Sequence, residues 1–351
     1  MSSITRGLER HQKNKVTHAV APEAPEKFRD APFYDADEEL QTAVELALEL
    51  KQPLLITGEP GCGKTAAAYW AAWALGLDPS DLHHVQIRSN ASAADMKYEF
   101  DNIGYLRESQ VAGASHQAWS EEQEEEIRRR FVRPGPLWHA FEAARERSLV
   151  LLLDEIDKAP RDFPNDLLHE FDQLEFEVPE WREGGRPRRI SARPAGDAAR
   201  ANGAAGDQGA PFILMIFTSN GERRLPDAFL RRCVHHHLAF DEQRMLSIVR
   251  HRAELARKLA KENACGPGVG LLELTDEFIE FAVKRFMVLK RYPELNHQPG
   301  LAELLVWLRV IASRGGMDIE RLKSLQPGEL PYLGLLLKDA EDRRRVQPSS
   351  R

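Results

Sequence analysis

Gly58-Glu59-Pro60-Gly61-Cys62-Gly63-Lys64-Thr65 fits the pattern G-x-x-x-x-G-K-[ST] at every position. The residue types explain why such a stretch holds phosphate. Glycines let the backbone fold tightly enough for successive N–H groups to point inward at a phosphate chain. Lys64 brings a point charge to the β- and γ-phosphates, and Thr65 offers a hydroxyl to Mg2+. The flanks agree. Pro53-Leu54-Leu55-Ile56-Thr57 reads as a short buried strand, and Thr65 to Leu75 is Ala-rich and free of helix breakers, with Gly76 placed to cap it. The loop therefore opens a helix, whose N-terminal dipole favours an anion, and Ala66 completes the candidate nucleotide-binding stretch.

The bulk composition bounds the rest. The chain has 351 residues, room for two domains and a well-buried core. Lys plus Arg is 48 against 55 Asp plus Glu, a net charge of -7, which argues against wholesale nucleic-acid binding. Cys62, Cys233 and Cys265 are odd in number and far apart, so neither a disulfide framework nor a zinc spacing is expected. Met1-Ser2-Ser3-Ile4-Thr5-Arg6 runs into charge rather than an apolar stretch, so no signal peptide is expected. No apolar run approaches the roughly 20 residues of a membrane span. A reduced, cytoplasmic protein without membrane contact is the expectation.

Along the chain, residues 1–32 read as a polar tail or linker. Asp37 to Leu50 has helical spacing. His83 to Ile87 reads as a second strand, and Asn90 or Ser92 as the cap of the next element. Residues 95–132 break the strand–helix alternation and read as an insertion. Within it, Ser120 to Arg130 carries Glu and then Arg in blocks that suit a solvated helix. Leu137 to Ser148 reads as a helix. Leu149-Val150-Leu151-Leu152-Leu153 is continuously apolar, as in a strand covered on both faces of a parallel sheet. Asp166 to Leu174 reads as a helix; Glu175 to Glu180 and Arg188 to Ala192 as strands turning at Glu183-Gly184-Gly185-Arg186; and Pro194 to Ala210 as a loop, so that 175–210 forms a second insertion. Phe212 to Phe217 and Val234 to Phe240 are further strands. Beyond Asp241 only helices are expected: Asp241–Glu262, Thr275 to Arg291, one from Pro299 stopped by Gly315-Gly316, and Pro327 to Arg343. Alternation followed by helices alone implies an α/β core with a parallel sheet over 33–240 and a small α-helical domain over 241–351.

Asp154-Glu155 closes the apolar strand, where open α/β sheets carry their ligand chemistry. Asp154 suits Mg2+, and Glu155 suits a base that polarises water for attack on a γ-phosphate. Asn220 ends the next strand and can orient that water, or merely begin a turn. Arg231 and Arg232 follow a short helical stretch from Leu225; two readings stand, a phosphate contact in a neighbouring subunit and a surface pair held by acids. His235-His236-His237 alternate across a strand, which speaks against one shared metal ion. Tyr98, Phe100 and Tyr105 read as packing residues.

Taken together, these motifs resemble the AAA+ ATPases and, within them, the MoxR-like group. The resemblance runs from about Phe33 to Trp307 and rests on the phosphate loop, Leu153-Asp154-Glu155-Ile156-Asp157-Lys158-Ala159, Thr218-Ser219-Asn220, Leu225 to Arg232 and Arg133-Pro134-Gly135-Pro136-Leu137-Trp138. It implies Walker A at 58–65, Walker B at Asp154 and Glu155, sensor 1 at Asn220 and the arginine finger at Arg232 or Arg231. It also implies a five-stranded parallel core, a helical lid, ATP and Mg2+ as ligands, and a homo-oligomeric ring, usually of six subunits. Members remodel or activate partner proteins, often ones with von Willebrand factor A domains. The family's basic sensor 2 has no counterpart in His297-Gln298-Pro299-Gly300-Leu301-Ala302-Glu303, and Arg309 lies two turns on. No Asn-Lys-x-Asp motif follows the core, so ATP is expected rather than GTP.

The leading expectation is an ATP-driven remodeller of another protein. A DNA motor or loader is the alternative, supported by Arg182, Arg186, Arg188, Arg189 and Arg193 and opposed by the acidic balance. A slow nucleotide switch is a third, opposed by Glu155 and Asn220.

Overall fold

The computed structural model describes residues 23–114, 119–193, 211–261, 271, 274–293, 295–314 and 318–347. Most of the expected tail, the loop at 194–210, the Gly315-Gly316 stop, Glu262 and Cys265 lie outside them. The described chain forms two compact units. One comprises Glu39–Ile56 with Ala71–His236; the other comprises Thr57–Trp70, the chain from His237 onward and the segment before Glu39.

Nine strands form among the described residues: β1 (Leu54–Gly58), β2 (Leu82–Gln86), β3 (Tyr98–Phe100), β4 (Val132–Pro134), β5 (Leu149–Asp154), β6 (Glu175–Glu183), β7 (Arg186–Ser191), β8 (Ile213–Ser219) and β9 (Val234–Leu238). Five of them make a parallel sheet in the order β2-β5-β8-β1-β9. The register sets Gln86 beside Asp154 and Leu153 beside Phe217. Leu149 to Leu153 are all fully buried. Each such side chain stabilises the fold by about 1.5–3 kcal/mol relative to exposure, which is why the continuous apolar run belongs at the sheet centre.

The described residues of 95–132 form helices and a strand pair. The Ala93–Lys97 helix, capped by Ser92 Oγ accepting from Asp95 N, leads into β3. β3 pairs antiparallel with β4, and the Asn102–Ala114 and Glu121–Arg130 helices lie between them in sequence. The pair escaped the periodicity reading because each strand is three residues long and partnered only across the insertion. The Glu121–Arg130 helix has the expected solvated character: Ser120 and Gln123 form a capping box, acids fill its first turn and arginines its last, and Ile127 is its buried residue. Tyr105 stacks near Phe100 and Phe131 and donates to Glu124 Oε1 at 3.0 Å, so it is a packing residue. β6 and β7 form the expected hairpin, with a register shift between Val178 and Arg182.

Several helix ends differ from the periodicity reading. The helix expected over 137–148 is Pro136–Ala144, and that expected over 166–174 is Leu168–Gln173, stopped by Leu174 in the left-handed region at φ 54°. The single helix expected over 327–343 is three short pieces: Pro327–Glu329, Leu333–Leu336 and Ala340–Val346. Pro331 disfavours helix at Leu330, Tyr332 is left-handed at φ 55°, and Asp339 starts a new helix by accepting from Glu341 N and Asp342 N. A helix at Ile319–Ser324, capped by Asp318, went unread.

The C-terminal helices share a second core. Thr275 Oγ1 caps Asp276–Lys290 by accepting from Phe278 N. Phe286 and Trp307 are fully buried, and Trp307 Nε1 donates to Pro331 O at 2.7 Å. No described helix is long and apolar enough to cross a membrane.

Gly135 shows how close the packing is. It is the N-cap of Pro136–Ala144 and donates to Lys97 O at 2.9 Å. A Cβ there would lie 2.5 Å from Asp95 O and 2.6 Å from Met96 O, backbone atoms that cannot swing aside. Gly135→Ala is therefore expected to cost about 1–3 kcal/mol of stability, read from the denaturant midpoint. An unchanged midpoint would contradict the close approach.

Candidate functional site

The loop at 58–65 follows β1 and opens the Lys64–Ala74 helix. Its conformation demands glycine. Gly58 has φ 155°, and a Cβ on it would lie 2.8 Å from Cys62 Sγ and 2.9 Å from Leu238 O. Gly61 and Gly63 also have positive φ, 77° and 101°. Lys64 is only 6% exposed. Its Nζ donates to Gly58 O and Glu59 O, both at 2.8 Å, and lies 3.9 Å from Cys62 Sγ. Burial raises the Cys62 thiol pKa, with the Lys64 charge opposing that shift. Thr65 and Ala66, the next helical residues, are half-buried.

The same unit braces this loop from outside. Lys290, the last residue of Asp276–Lys290, is 7% exposed, and its ammonium pairs with the Glu59 carboxylate. A Cβ on Gly300 would lie 3.3 Å from Pro60 O and 3.4 Å from Gly61 Cα. Tyr34 approaches Gly63 and tilts against Trp70 at 6.2 Å. Periodicity gives no sign of Lys290, because it lies on an apolar helix far along the chain.

A second cluster gathers at the ends of β2, β5 and β8. Asp154 is buried, and Thr218 Oγ1 donates to its Oδ1 at 2.5 Å. His84 Nε2 lies 3.2 Å from Asp154 Oδ2. Glu155 is left-handed, φ 60° and ψ 51°, a conformation L-residues rarely hold without external support. Support comes from Thr218, whose Oγ1 accepts from Glu155 N at 2.8 Å. The turn aims the Glu155 carboxylate at three partners: Lys158 Nζ at 2.5 Å, Asn220 Nδ2 at 3.4 Å and Gln86 Nε2. The Glu155 carboxylate in turn raises the pKa of Lys158. Asp157, 2% exposed, fixes the Asn220 turn by accepting from Asn220 N and Glu222 N, both at 3.0 Å.

Thus Asp154, Glu155 and Asn220, singled out separately in the sequence, meet in one hydrogen-bonded group. His84, Gln86, Asp157 and Thr218 were missed. Asp157 and Thr218 stand inside the quoted motifs, whereas His84 and Gln86 needed the β2–β5 register. Arg231 and Arg232 are exposed and stand apart from this cluster. Arg232 Nε pairs with Asp172 Oδ2 at 2.9 Å, and Nη1 donates to Ala228 O at 3.1 Å. His236 is buried while His235 and His237 are exposed, and His237 Nδ1 lies 3.0 Å from Thr57 Oγ1.

The residues fit a magnesium nucleotide. The 58–65 loop, a glycine cradle with a buried cation, suits a phosphate chain; the Thr65 hydroxyl and, separately, the Asp154 carboxylate are oxygens of the kind Mg2+ prefers. No described group of three or more His, Cys, Asp or Glu forms a self-contained metal site. A magnesium ion held largely by substrate phosphates requires none.

Residues 53–233 match the family model described as AAA domain (dynein-related subfamily). No curated protein matches the chain in sequence. Among solved structures, domain III of the Thermotoga maritima replication initiation protein DnaA aligns with 93% of this chain and 100% of its own length. The TM-score is 0.38 and the identity 16%. Because the matched stretch takes in more than half of the sequence, the chain belongs to the AAA+ ATPases, in the AAA domain family of the dynein-related subfamily.

Proposed function

We propose that this chain is a MoxR-like ATPase that binds and hydrolyses ATP with Mg2+ and uses the cycle to remodel or activate a partner protein. The observation that carries the reading is the buried Lys64 ammonium in its glycine-rich loop, held by two main-chain carbonyls. A triphosphate offers that cation stronger, charged acceptors. The backbone of Gly58 to Ala66 receives the phosphates. Thr65 and Asp154 would be the protein oxygens for Mg2+, which would supply positive charge against the phosphates. Glu155 takes the proton of the attacking water, and Asn220 orients that water. The left-handed turn at Glu155 and its hydrogen bond to Thr218 keep the carboxylate aimed. The core is proposed to span 33–240 and the lid 241–351, in a cytoplasmic protein with free thiols at Cys62 and Cys233.

A protein client is favoured over DNA by the state of the basic hairpin. Arg188 is taken up by Glu142 and Glu183 and lies over the Trp181 ring at 4.1 Å. Arg189 pairs with Glu175 and Glu177. Arginines neutralised in this way offer little to a phosphate backbone. A partner with a von Willebrand factor A domain is the first client to test.

The assigned roles are tested by two variants. Lys64→Ala should abolish tight ATP binding with the fold intact, whereas Glu155→Gln should bind ATP and hydrolyse it about 10²–10⁴-fold more slowly. Undiminished affinity in the first, or parental turnover in the second, would sink the respective assignment.

The ring, with six subunits proposed, is tested through Arg232. Its surface pairing with Asp172 is open to exchange for a neighbour's phosphate. Arg232→Ala should then bind ATP but lose about 10³–10⁵ in rate. Mixing it with Lys64→Ala subunits should restore part of the rate, because those subunits still present Arg232 to an ATP-loaded neighbour. An inactive mixture of exchanging subunits, or a monomer active at full rate, contradicts the shared site.

A further inference from the structure

Glu59 is held by a lysine at each end. Its carbonyl accepts from Lys64 Nζ at 2.8 Å, and its carboxylate pairs with Lys290. The second contact is unusual in charge terms. An acidic side chain on a loop that receives a triphosphate repels its ligand unless a cation cancels it. Lys290 is built to stay there. Its side chain is 9% exposed, against 54% for Glu59, and its Nζ lies 3.8 Å from the centre of the Phe240 ring. Lys290 is compensated for its burial by the carboxylate and the ring face. It also ends its helix, where the dipole favours a cation. The next loop residues are braced too, with the backbone at Gly300 against Pro60 and Gly61.

We propose that Lys290 is a positioning residue of the phosphate loop, neutralising Glu59 so that the loop presents net positive charge to a triphosphate. The proposal rests on the ATP-binding reading above. The Lys290 ammonium acts on the nucleotide only through Glu59. Removing it leaves a half-exposed carboxylate that water can solvate, so the fold survives while the ligand meets an uncancelled negative charge.

The test is a double-mutant cycle on the full chain, read as ATP and ADP dissociation constants by calorimetry at low salt. Lys290→Met keeps the apolar stem over Phe240 and deletes the charge. It should weaken ATP binding about tenfold, and ADP, with one charge fewer, by less. Lys290→Arg should stay near the parent. Adding Glu59→Gln to Lys290→Met should recover most of the lost affinity, since the repelling charge goes too. If Lys290→Met fails to melt cooperatively, Lys290→Gln carries the same comparison. A double variant as weak as Lys290→Met overturns the proposal, because the ammonium would then act on the nucleotide directly. A Lys290→Met that binds like the parent overturns it as well, while leaving the phosphate-loop reading intact. A parent chain that binds no ATP overturns both.

Discussion

The loop at 58–65 depends on satisfying the hydrogen bonds of one ammonium group that is almost wholly removed from water. Lys64 manages this through the carbonyls of Gly58 and Glu59. Those carbonyls converge only because the loop turns through backbone angles that glycine alone adopts without strain. The requirement reaches outward from there. Gly58 lies so close to Cys62 Sγ and Leu238 O that no side chain fits, and Tyr34 and Gly300 close on Gly63 and Gly61. A charged group buried with carbonyl partners is a poor source of stability, because desolvation offsets most of what the contacts return. Its retention fits the proposed role as a preorganised phosphate receptor.

The second cluster solves a different problem. A carboxylate proposed to take a proton must be aimed, and Glu155 sits in a conformation that costs energy. Thr218 offsets that cost with one hydroxyl, which donates to Asp154 and accepts from Glu155 N. The parallel register of β5 and β8 is what brings a β8 hydroxyl to the end of β5. The geometry of this cluster is thus a direct product of strand pairing, and the fully buried leucines of β5 are its foundation.

This division explains how much could be read from the sequence. Motifs whose chemistry is local were legible: the phosphate loop, the apolar strand ending in Asp154-Glu155, a cap at Asn90 or Ser92, and the hairpin over 175–191. Features made by distant partners were not. β3 and β4 are three residues each and exist through one another. Lys290 lies among the apolar residues of its helix and gains meaning only through Glu59. Gln86 and His84 reach the Asp154–Glu155 pair through a register that no spacing reveals. The helix expected across 327–343 failed because the turn at Pro331-Tyr332 and the cap at Asp339 outweigh a favourable apolar pattern.

The central claim is that Lys64 gives up its two carbonyls for a triphosphate. A structure of the chain with a slowly hydrolysed ATP analogue and Mg2+ tests it most directly. The account predicts the phosphates lying along the 58–65 backbone, with Lys64 Nζ moved from Gly58 O and Glu59 O onto their oxygens and the glycine angles unchanged. A nucleotide seated elsewhere, or a Lys64 still bonded to both carbonyls beneath a bound triphosphate, would contradict it.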